Sequence, residues 1–275
     1  MIAELEARQF AAWPAAEVEP LGGWRLRATS GVTRRANSAW TADAVDEVAR
    51  SIARTESFYA ARALPPIFQL CPLSPAGLDA ELDRRGYAVD APVAILATEL
   101  APLTREPSDA KSPAGVEAHV DERLGEPWFE LSGGRSRFAA VQEVYRGILG
   151  RIGACAGFAL ARIDAAPAAT ALGVCDGAWL GVYSVATLPE QRRRGAASAL
   201  LRALARWGVA RGATGAYLQV ERDNPIAFDL YLRAGFREVY GYHYRVRPSS
   251  LAFGSLRAPL AGLPRGLPRG GPRSA

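Results

Sequence analysis

One stretch, YSVATLPEQRRRGAASALL at residues 183–201, constrains the fold of this chain more than any other. A strand-like run ends near Thr187, Pro189 breaks it, and an alanine- and leucine-rich helix begins at about Gly195. Three consecutive arginines stand at the helix entrance, where the helix dipole makes a cation unfavourable by about 0.3–1 kcal/mol. A bound polyanion would offset that cost, because a helix N-terminus binds phosphate. The alternative is a solvated arginine cluster before an ordinary helix, and this stretch alone leaves both open.

A second helix is predicted in NPIAFDLYLRAGF, residues 224–236. Asn224 is a suitable N-cap, Pro225 suits the first helical position, and Gly235 can end the helix in the left-handed conformation. Tyr231 lies two turns after Asn224 on the same face, where its hydroxyl could donate a proton to a leaving group. Taken alone, the segment favours a capped surface helix in which Tyr231 only packs.

In this order, the two segments strongly resemble the GNAT superfamily of acyl-CoA-dependent N-acyltransferases. The pyrophosphate loop of that superfamily follows Arg/Gln-x-x-Gly-x-Gly/Ala, and residues 192–197 match it. Its next helix commonly follows Asn-x-x-Ala-x-x-Leu-Tyr-x-x-x-Gly-Phe, and residues 224–236 match every fixed position. The sequence between them suits one helix and one strand. The resemblance covers about residues 114–247.

The resemblance implies a cleft for acetyl-CoA. The strand ending at 185–187 would separate from the strand at 216–221, with the pantetheine arm in the gap and the pyrophosphate on the backbone N–H groups of 193–198. Tyr231 would be the general acid for the departing CoA thiolate. A primary amine would attack the thioester directly, so no cysteine is required. The implied cofactor-binding residues are Val185, Ala186, Thr187, Arg192, Arg193, Arg194, Gly195, Ala196, Ala197, Ser198 and Asn224.

The general base is the least determined part of the expected site. Family members often carry a carboxylate on the separating strand, and residues 179–187 contain none. Glu221, at the end of the next strand, is the nearest candidate, although a solvated strand-end acid is the favoured interpretation and water could carry the proton instead. The expected function is acetyl transfer from acetyl-CoA to a primary amine of a small molecule, peptide or protein. The alternative is a non-catalytic acetyl-CoA-binding regulatory module, against which the presence of Tyr231 argues.

The chain of 275 residues is long enough for about two domains. A proline-rich stretch at 102–113 predicts a linker between halves at 1–101 and 114–247, and each half closes with the order β-β-α-β-α-β. The expected fold class is α/β, layered as in α+β proteins, with two tandem GNAT-like halves. Each half would be a mixed, mostly antiparallel sheet flanked by helices. Residues 248–275, rich in Pro, Gly and Arg, are predicted to form a disordered tail.

The first half is similar to a degenerate copy of the same fold, and residues 23–40 resemble the opening of bacterial tandem-GNAT proteins. No Arg-x-x-Gly loop precedes the helix predicted at 44–63. The acids at 43–47 would repel pyrophosphate, so this half is not expected to bind CoA. Its conspicuous side chains either line the acceptor site or belong to an edge hairpin with a structural asparagine. These side chains are Arg34, Arg35, Asn37 and Trp40.

Composition argues against several other classes. Two histidines and one lysine are too few for a histidine-based metal site or a P-loop, and no metal is expected. The six arginines from residue 245 onward carry the basic charge, because without them 27 basic and 28 acidic residues remain. A core so nearly neutral argues against a nucleic-acid partner. No run approaches the roughly 18 apolar residues of a membrane span. Three cysteines, an odd and sparse set, predict a reducing, cytoplasmic environment.

Overall fold

The computed structural model describes residues 1–105, 115–134 and 138–247. The predicted tail at 248–275 and residues 106–113 of the predicted linker lie outside the described residues. The helices are α1 (Ile2–Ala12), α2 (Val48–Ala60), α3 (Leu78–Arg84), α4 (Leu100–Leu103), α5 (Glu126–Phe129), α6 (Gln142–Ile152), α7 (Ala196–Ala210) and α8 (Pro225–Arg233). The strands are β1 (Glu17–Leu21), β2 (Trp24–Ala28), β3 (Ala39–Trp40), β4 (Ile67–Leu70), β5 (Ala88–Glu99), β6 (Val116–Asp121), β7 (Ala156–Ile163), β8 (Ala166–Asp176), β9 (Trp179–Thr187), β10 (Gly215–Glu221) and β11 (Arg237–Val246).

Within these residues the strands form one sheet of eleven, in the order β1-β2-β3-β4-β11-β5-β10-β9-β8-β7-β6. Neighbouring strands are antiparallel except for two parallel pairs, β3 with β4 and β9 with β10. Helices cover both faces of the sheet. The expected fold class, a mixed and mostly antiparallel sheet flanked by helices, is confirmed.

The two halves share this sheet because their last strands are interleaved. Strand β5, from the first half, lies between β10 and β11 of the second half and pairs with both. Strand β11 pairs in turn with β4 of the first half. The boundary predicted at 102–113 therefore separates two stretches of chain that contribute to one sheet. This arrangement brings side chains from the first half against the end of β10.

The two faces of the sheet have different cores. Helices α1, α5 and α6 pack on what we call the aromatic face, around buried rings such as Trp13, Trp128 and Tyr145. Helices α7 and α8 pack on the opposite face, here the α7 face, where Leu200 and Leu204 meet the sheet one helical turn apart. Because side chains alternate along a strand, each strand residue is assigned to one face or the other.

Several local predictions match the structure. The first helix covers Ile2–Ala12, and the hairpin between β8 and β9 turns at Asp176-Gly177 as expected. The helix predicted at 44–63 is shorter, because the chain up to Glu47 packs back towards β2 and a backbone bond joins Gly23 to Ala44. Strand β1 was not predicted, since most of it is exposed and it contains a proline. Among the described helices, none has the length and apolar character needed to cross a membrane.

Candidate active site

The two parallel strands β9 and β10 separate part of the way along their length, and the gap between them is here called the cleft. They pair only over Trp179–Val182 and Gly215–Leu218, and within the described chain the rest of β9 has no partner on that side. A bulge lies at this point, since the register of β9 against β8 shifts and Ser184 adopts a φ of 49°. Left-handed backbone at a residue other than glycine costs roughly 1–2 kcal/mol, so the surrounding sheet must hold this bend. The open edge at 183–187 is the separation that the resemblance implied.

The turn between β9 and α7 has the geometry of an anion site. A short 3₁₀ turn at Pro189–Gln191 is followed by left-handed backbone at Arg193, φ 63°, and at Gly195, φ 85°. Gly195 is the N-cap of α7, and the first turn of that helix contains no acidic side chain. The first N–H groups of a helix have no partner within the helix, and left-handed positions beside them can gather N–H groups around an anion.

The three arginines of this turn are all exposed. One of them forms hydrogen bonds to other side chains of the protein. Arg194 donates from Nη1 to Oε1 of Gln191 at 2.8 Å and from Nη2 to Oδ2 of Asp164 at 2.9 Å. Among the described residues, Arg192 and Arg193 have no ion-pair partner. Arg194 therefore holds the turn against the β7–β8 connection, while the other two guanidinium groups are available to a ligand.

Helix α8 begins and ends as the sequence predicts. Oδ1 of Asn224 accepts a hydrogen bond from the backbone N–H of Ala227 at 3.2 Å, and Gly235 is left-handed with a φ of 93°. Tyr231 is buried, with its ring 6.0 Å from that of Phe236, and its hydroxyl has no hydrogen-bond partner in the described part of the chain. Burial raises the pKa of Tyr231 to about 12. The hydroxyl is therefore protonated at neutral pH and can act as a donor.

The candidate acid and base lie on opposite faces of the sheet. Tyr231 packs on the α7 face in the same cluster as Val185 of β9 and Ala196 at the start of α7. Val220 of β10 faces this cluster as well, so strand alternation directs Glu221 to the aromatic face. A group in the cleft between β9 and β10 would therefore have a tyrosine on one side and a carboxylate on the other.

Glu221 is linked to the first half through Arg34. Its side chain is 46% exposed, and its Oε1 lies 3.9 Å from Nη1 of Arg34. Nη2 of the same guanidinium is 2.6 Å from Oδ2 of Asp90, whose side chain is only 6% exposed, and the group lies over the ring of Tyr244. Sequence reasoning did not find Asp90, since no local pattern marks an acid within β5 as a partner of Arg34.

Arg35 also reaches the second half. Its Nη1 donates to Oε1 of Gln219 on β10 at 3.0 Å. The guanidinium stacks over Trp13 and Tyr183, at 4.4 and 5.4 Å from the ring centres. The Tyr242 hydroxyl donates to the same Gln219 oxygen at 3.0 Å. Gln219 is a second residue that the sequence did not single out. It lies two residues before Glu221 on β10, and therefore on the same face of the sheet.

Asn37 has a structural environment. The residue is 3% exposed, and every hydrogen-bonding position of its amide is used by the backbone of its own loop. Oδ1 accepts from the N–H groups of Thr29 and Gly31, at 2.7 and 2.9 Å. Nδ2 donates to the carbonyl groups of Val32 and Thr33, at 2.7 and 2.9 Å. These contacts favour the structural interpretation of Asn37 over a role in binding the acceptor.

Trp40 contacts α1 instead of the cleft. Its indole N–H donates to Oε2 of Glu6 at 2.8 Å, and its ring lies 5.2 Å from that of Phe10. Glu6 is fully buried and also accepts from the hydroxyl of Tyr240 at 2.7 Å. Burial raises the pKa of the Glu6 carboxyl. Of the four residues singled out in the first half, the structure brings Arg34 and Arg35 to the separating strands.

The first half has its own parallel pair, β3 and β4, and side chains bridge the gap beyond it. The hydroxyl of Thr41 donates to the carbonyl of Gln69 at 2.8 Å and lies 2.7 Å from Oγ of Ser74. The following helix, α2, has the acid Glu47 at its N-cap position. Both features favour the expectation that this half does not accept CoA.

Comparison with known proteins identifies the family of this chain. Residues 1–246 match the family model described as "Probable histone acetyltransferase Rv0428c C-terminal". The chain is 31% identical over 251 residues to "Uncharacterized N-acetyltransferase YobR" of Bacillus subtilis, covering 90% of this chain and 98% of that protein.

Two solved structures share the fold. A GCN5-related N-acetyltransferase from Kribbella flavida matches with a TM-score of 0.68 and 22% identity, over 90% of this chain and 95% of that one. A tandem GNAT protein from the clavulanic acid biosynthesis pathway matches with a TM-score of 0.59 and 14% identity, over 88% of this chain and 86% of that one. The chain therefore belongs to the Rv0428c C-terminal acetyltransferase family, within the GNAT superfamily of acyl-CoA N-acyltransferases.

Proposed function

We propose that this protein transfers the acetyl group of acetyl-CoA to a primary amine by direct attack in a ternary complex. The observation that carries the proposal is that β9 and β10 separate immediately before the Arg192–Gly195 turn. The free strand edge and the helix N-terminus thus follow each other along the chain. Pantetheine would pair with the edge at 183–187, and the pyrophosphate would bind the N–H groups of 193–198 beside the exposed arginines.

Tyr231 would assist departure of the thiolate. As the amine nitrogen bonds to the thioester carbon, the C–S bond breaks and the CoA sulfur takes the electron pair. Thiols have a pKa of about 8.5, whereas burial raises the pKa of Tyr231 to about 12. Complete proton transfer from this hydroxyl to the sulfur is therefore uphill. The hydroxyl would contribute mainly by donating a hydrogen bond as negative charge develops on the sulfur.

Glu221 would take the proton that the attacking amine loses, directly or through water. It is exposed on the aromatic face, opposite Tyr231, so the amine would approach from the side on which the two halves meet. Arg34 and Arg35 of the first half would line that approach. The family description names a histone acetyltransferase, which makes a lysine side chain of a basic protein one acceptor to test, beside small amines and peptide N-termini.

The test is release of free CoA from acetyl-CoA with a panel of polyamines, aminoglycosides, and peptides carrying a free N-terminus or lysine. We expect release with at least one acceptor and a strong reduction in Glu221→Gln. Saturable binding of CoA without release for any acceptor would support the regulatory module instead. Failure to bind CoA at all would overturn both.

A further inference from the structure

Two of the three cysteines lie where β7 begins and β8 ends, at the end of these strands away from the cleft. Strands β7 and β8 are antiparallel, with Ala156 opposite Val174 at the start of β7. Continuing this register by one step would place Cys155 opposite Cys175. Cys155 ends the 3₁₀ turn that precedes β7, and this turn contacts β8.

The same continuation would put the two thiols on one face of the sheet. Ala156 packs on the aromatic face and Cys175 belongs to the α7-face cluster, so alternation carried one residue back from Ala156 would direct Cys155 to the α7 face as well. Directly opposed residues of an antiparallel pair have Cα atoms about 4.5–5.5 Å apart. This separation lies within the range of about 4.4–6.8 Å that a disulfide spans. Cys71 lies in the first half, just after β4.

The surroundings of this pair favour stepwise chemistry. Cys155 is exposed and Cys175 is buried, so a dissolved reagent reaches Cys155 first. Arg211, which directly follows α7, donates from Nη2 to the carbonyl of Ala154 at 2.9 Å. Burial raises the pKa of the Cys175 thiol, while the charge of Arg211 lowers it and that of Cys155 raises it.

We propose that Cys155 and Cys175 are a dithiol site that forms a reversible intramolecular disulfide. With a small external disulfide as the oxidant, the Cys155 thiolate attacks one of its sulfurs and expels the other as a thiolate. Cys175 then loses its proton to solvent, attacks the Cys155 sulfur and expels the second small thiolate. The protein loses two electrons and two protons, and the external disulfide is reduced to two thiols.

This bond would join the ends of β7 and β8 away from the acetyl-CoA cleft. Helix α7 has 15 residues, so its Arg211 end lies about 22 Å from its Gly195 end. The bond would stabilise the sheet without contacting the turn at 192–197. Its expected effect is therefore on unfolding and not on catalysis.

The experiment uses the full chain with oxidised glutathione, followed by thiol counting in denaturant, intact mass and non-reducing electrophoresis. We expect two of the three thiols to disappear, the mass to fall by two hydrogens, no disulfide-linked dimer to form and dithiothreitol to reverse the change. Cys71→Ser should behave as the unaltered protein does. Cys155→Ser and Cys175→Ser should each form no internal disulfide.

Three results would overturn the inference. These are a lasting glutathione adduct on Cys155 with Cys175 still reduced, disulfide-linked dimers, or a bond that includes Cys71. The oxidised protein should also melt a few degrees higher than the reduced protein, because the cross-link restricts the unfolded chain. These readouts require no acetyltransferase activity, so they stand apart from the test of the proposed function.

Discussion

Nη1 of Arg34 lies 3.9 Å from Oε1 of Glu221, and this contact joins the first half of the chain to the end of β10. An ion pair of this length between partly exposed groups contributes at most about 1 kcal/mol to stability. The contact from the same guanidinium to the buried Asp90, at 2.6 Å, is much closer. Arg34 is therefore anchored at Asp90, and Glu221 remains accessible to a ligand.

Replacing Glu221 tests its role as the base. Glu221→Gln keeps the shape of the side chain but cannot accept a proton, so kcat/KM should fall by about 10²–10⁴-fold. The rise in melting temperature that CoA causes should not change, since the carboxylate faces away from the cofactor side. Glu238→Gln is the matched control, because Glu238 is a comparably exposed acid paired with Arg222. Equal rates in the two variants would assign proton removal to water.

Replacing Gly195 tests the pyrophosphate turn. CoA should raise the melting temperature through RT ln(1 + [L]/Kd), and Gly195→Glu should abolish that rise by placing bulk and negative charge at the start of α7. Gly212→Glu is a matched control, because Gly212 is also left-handed, φ 86° against 85°, and lies just beyond the other end of α7. An unchanged rise in Gly195→Glu would contradict the assignment.

The sequence predicted features that depend on neighbours along the chain. The cap at Asn224, the left-handed Gly235 and the arginine turn before α7 are each set by a few consecutive residues. The insertion of β5 between β10 and β11 could not be predicted, because strand order depends on pairings between distant segments. The partnership of Arg34 with Asp90 and Glu221 follows from that insertion and was missed for the same reason.

The number of cofactors bound distinguishes the two halves. Calorimetric titration should give one CoA per chain, because Thr41 bridges the gap beyond β3 and β4 and Glu47 stands at the start of α2. Gly195→Glu should remove that single binding event and reveal no weaker one. Two equivalent sites would show that the acids before α2 do not prevent binding in the first half.

The buried carboxyl of Glu6 should make stability depend on pH. Burial raises its folded pKa above the ordinary value of 4.5. Between the two values the folded chain holds a proton that the unfolded chain has lost, so this group's contribution to stability falls as pH rises. Glu6→Gln removes the titratable carboxyl group and with it this pH dependence. The melting temperature of Glu6→Gln minus that of the unaltered protein should therefore increase from about pH 4.5 upward.

The test is the slope of this melting-temperature difference against pH, because hydrogen bonds lost in Glu6→Gln could lower its melting temperature by the same amount at every pH. Glu19→Gln, at an exposed position of β1, should give a flat difference. A flat difference for Glu6→Gln as well would mean that Trp40, Tyr240 and the nearby Arg27 fully compensate for the burial of the charge.

Tyr231→Phe separates a role in the transition state from a role in packing. The change removes only a hydroxyl that has no partner among the described residues, so the packing against Phe236 should survive. The turnover number should fall by about 10²–10³-fold, the loss typical of one hydrogen-bond donor to developing charge, while the CoA dissociation constant stays nearly fixed, the pattern of an interaction made mainly in the transition state. Tyr87→Phe, a buried tyrosine of the first half, is the control and should turn over normally. Normal turnover in Tyr231→Phe would make Tyr231 a packing residue, whereas loss of CoA affinity would place its hydroxyl in ground-state binding and favour the regulatory module.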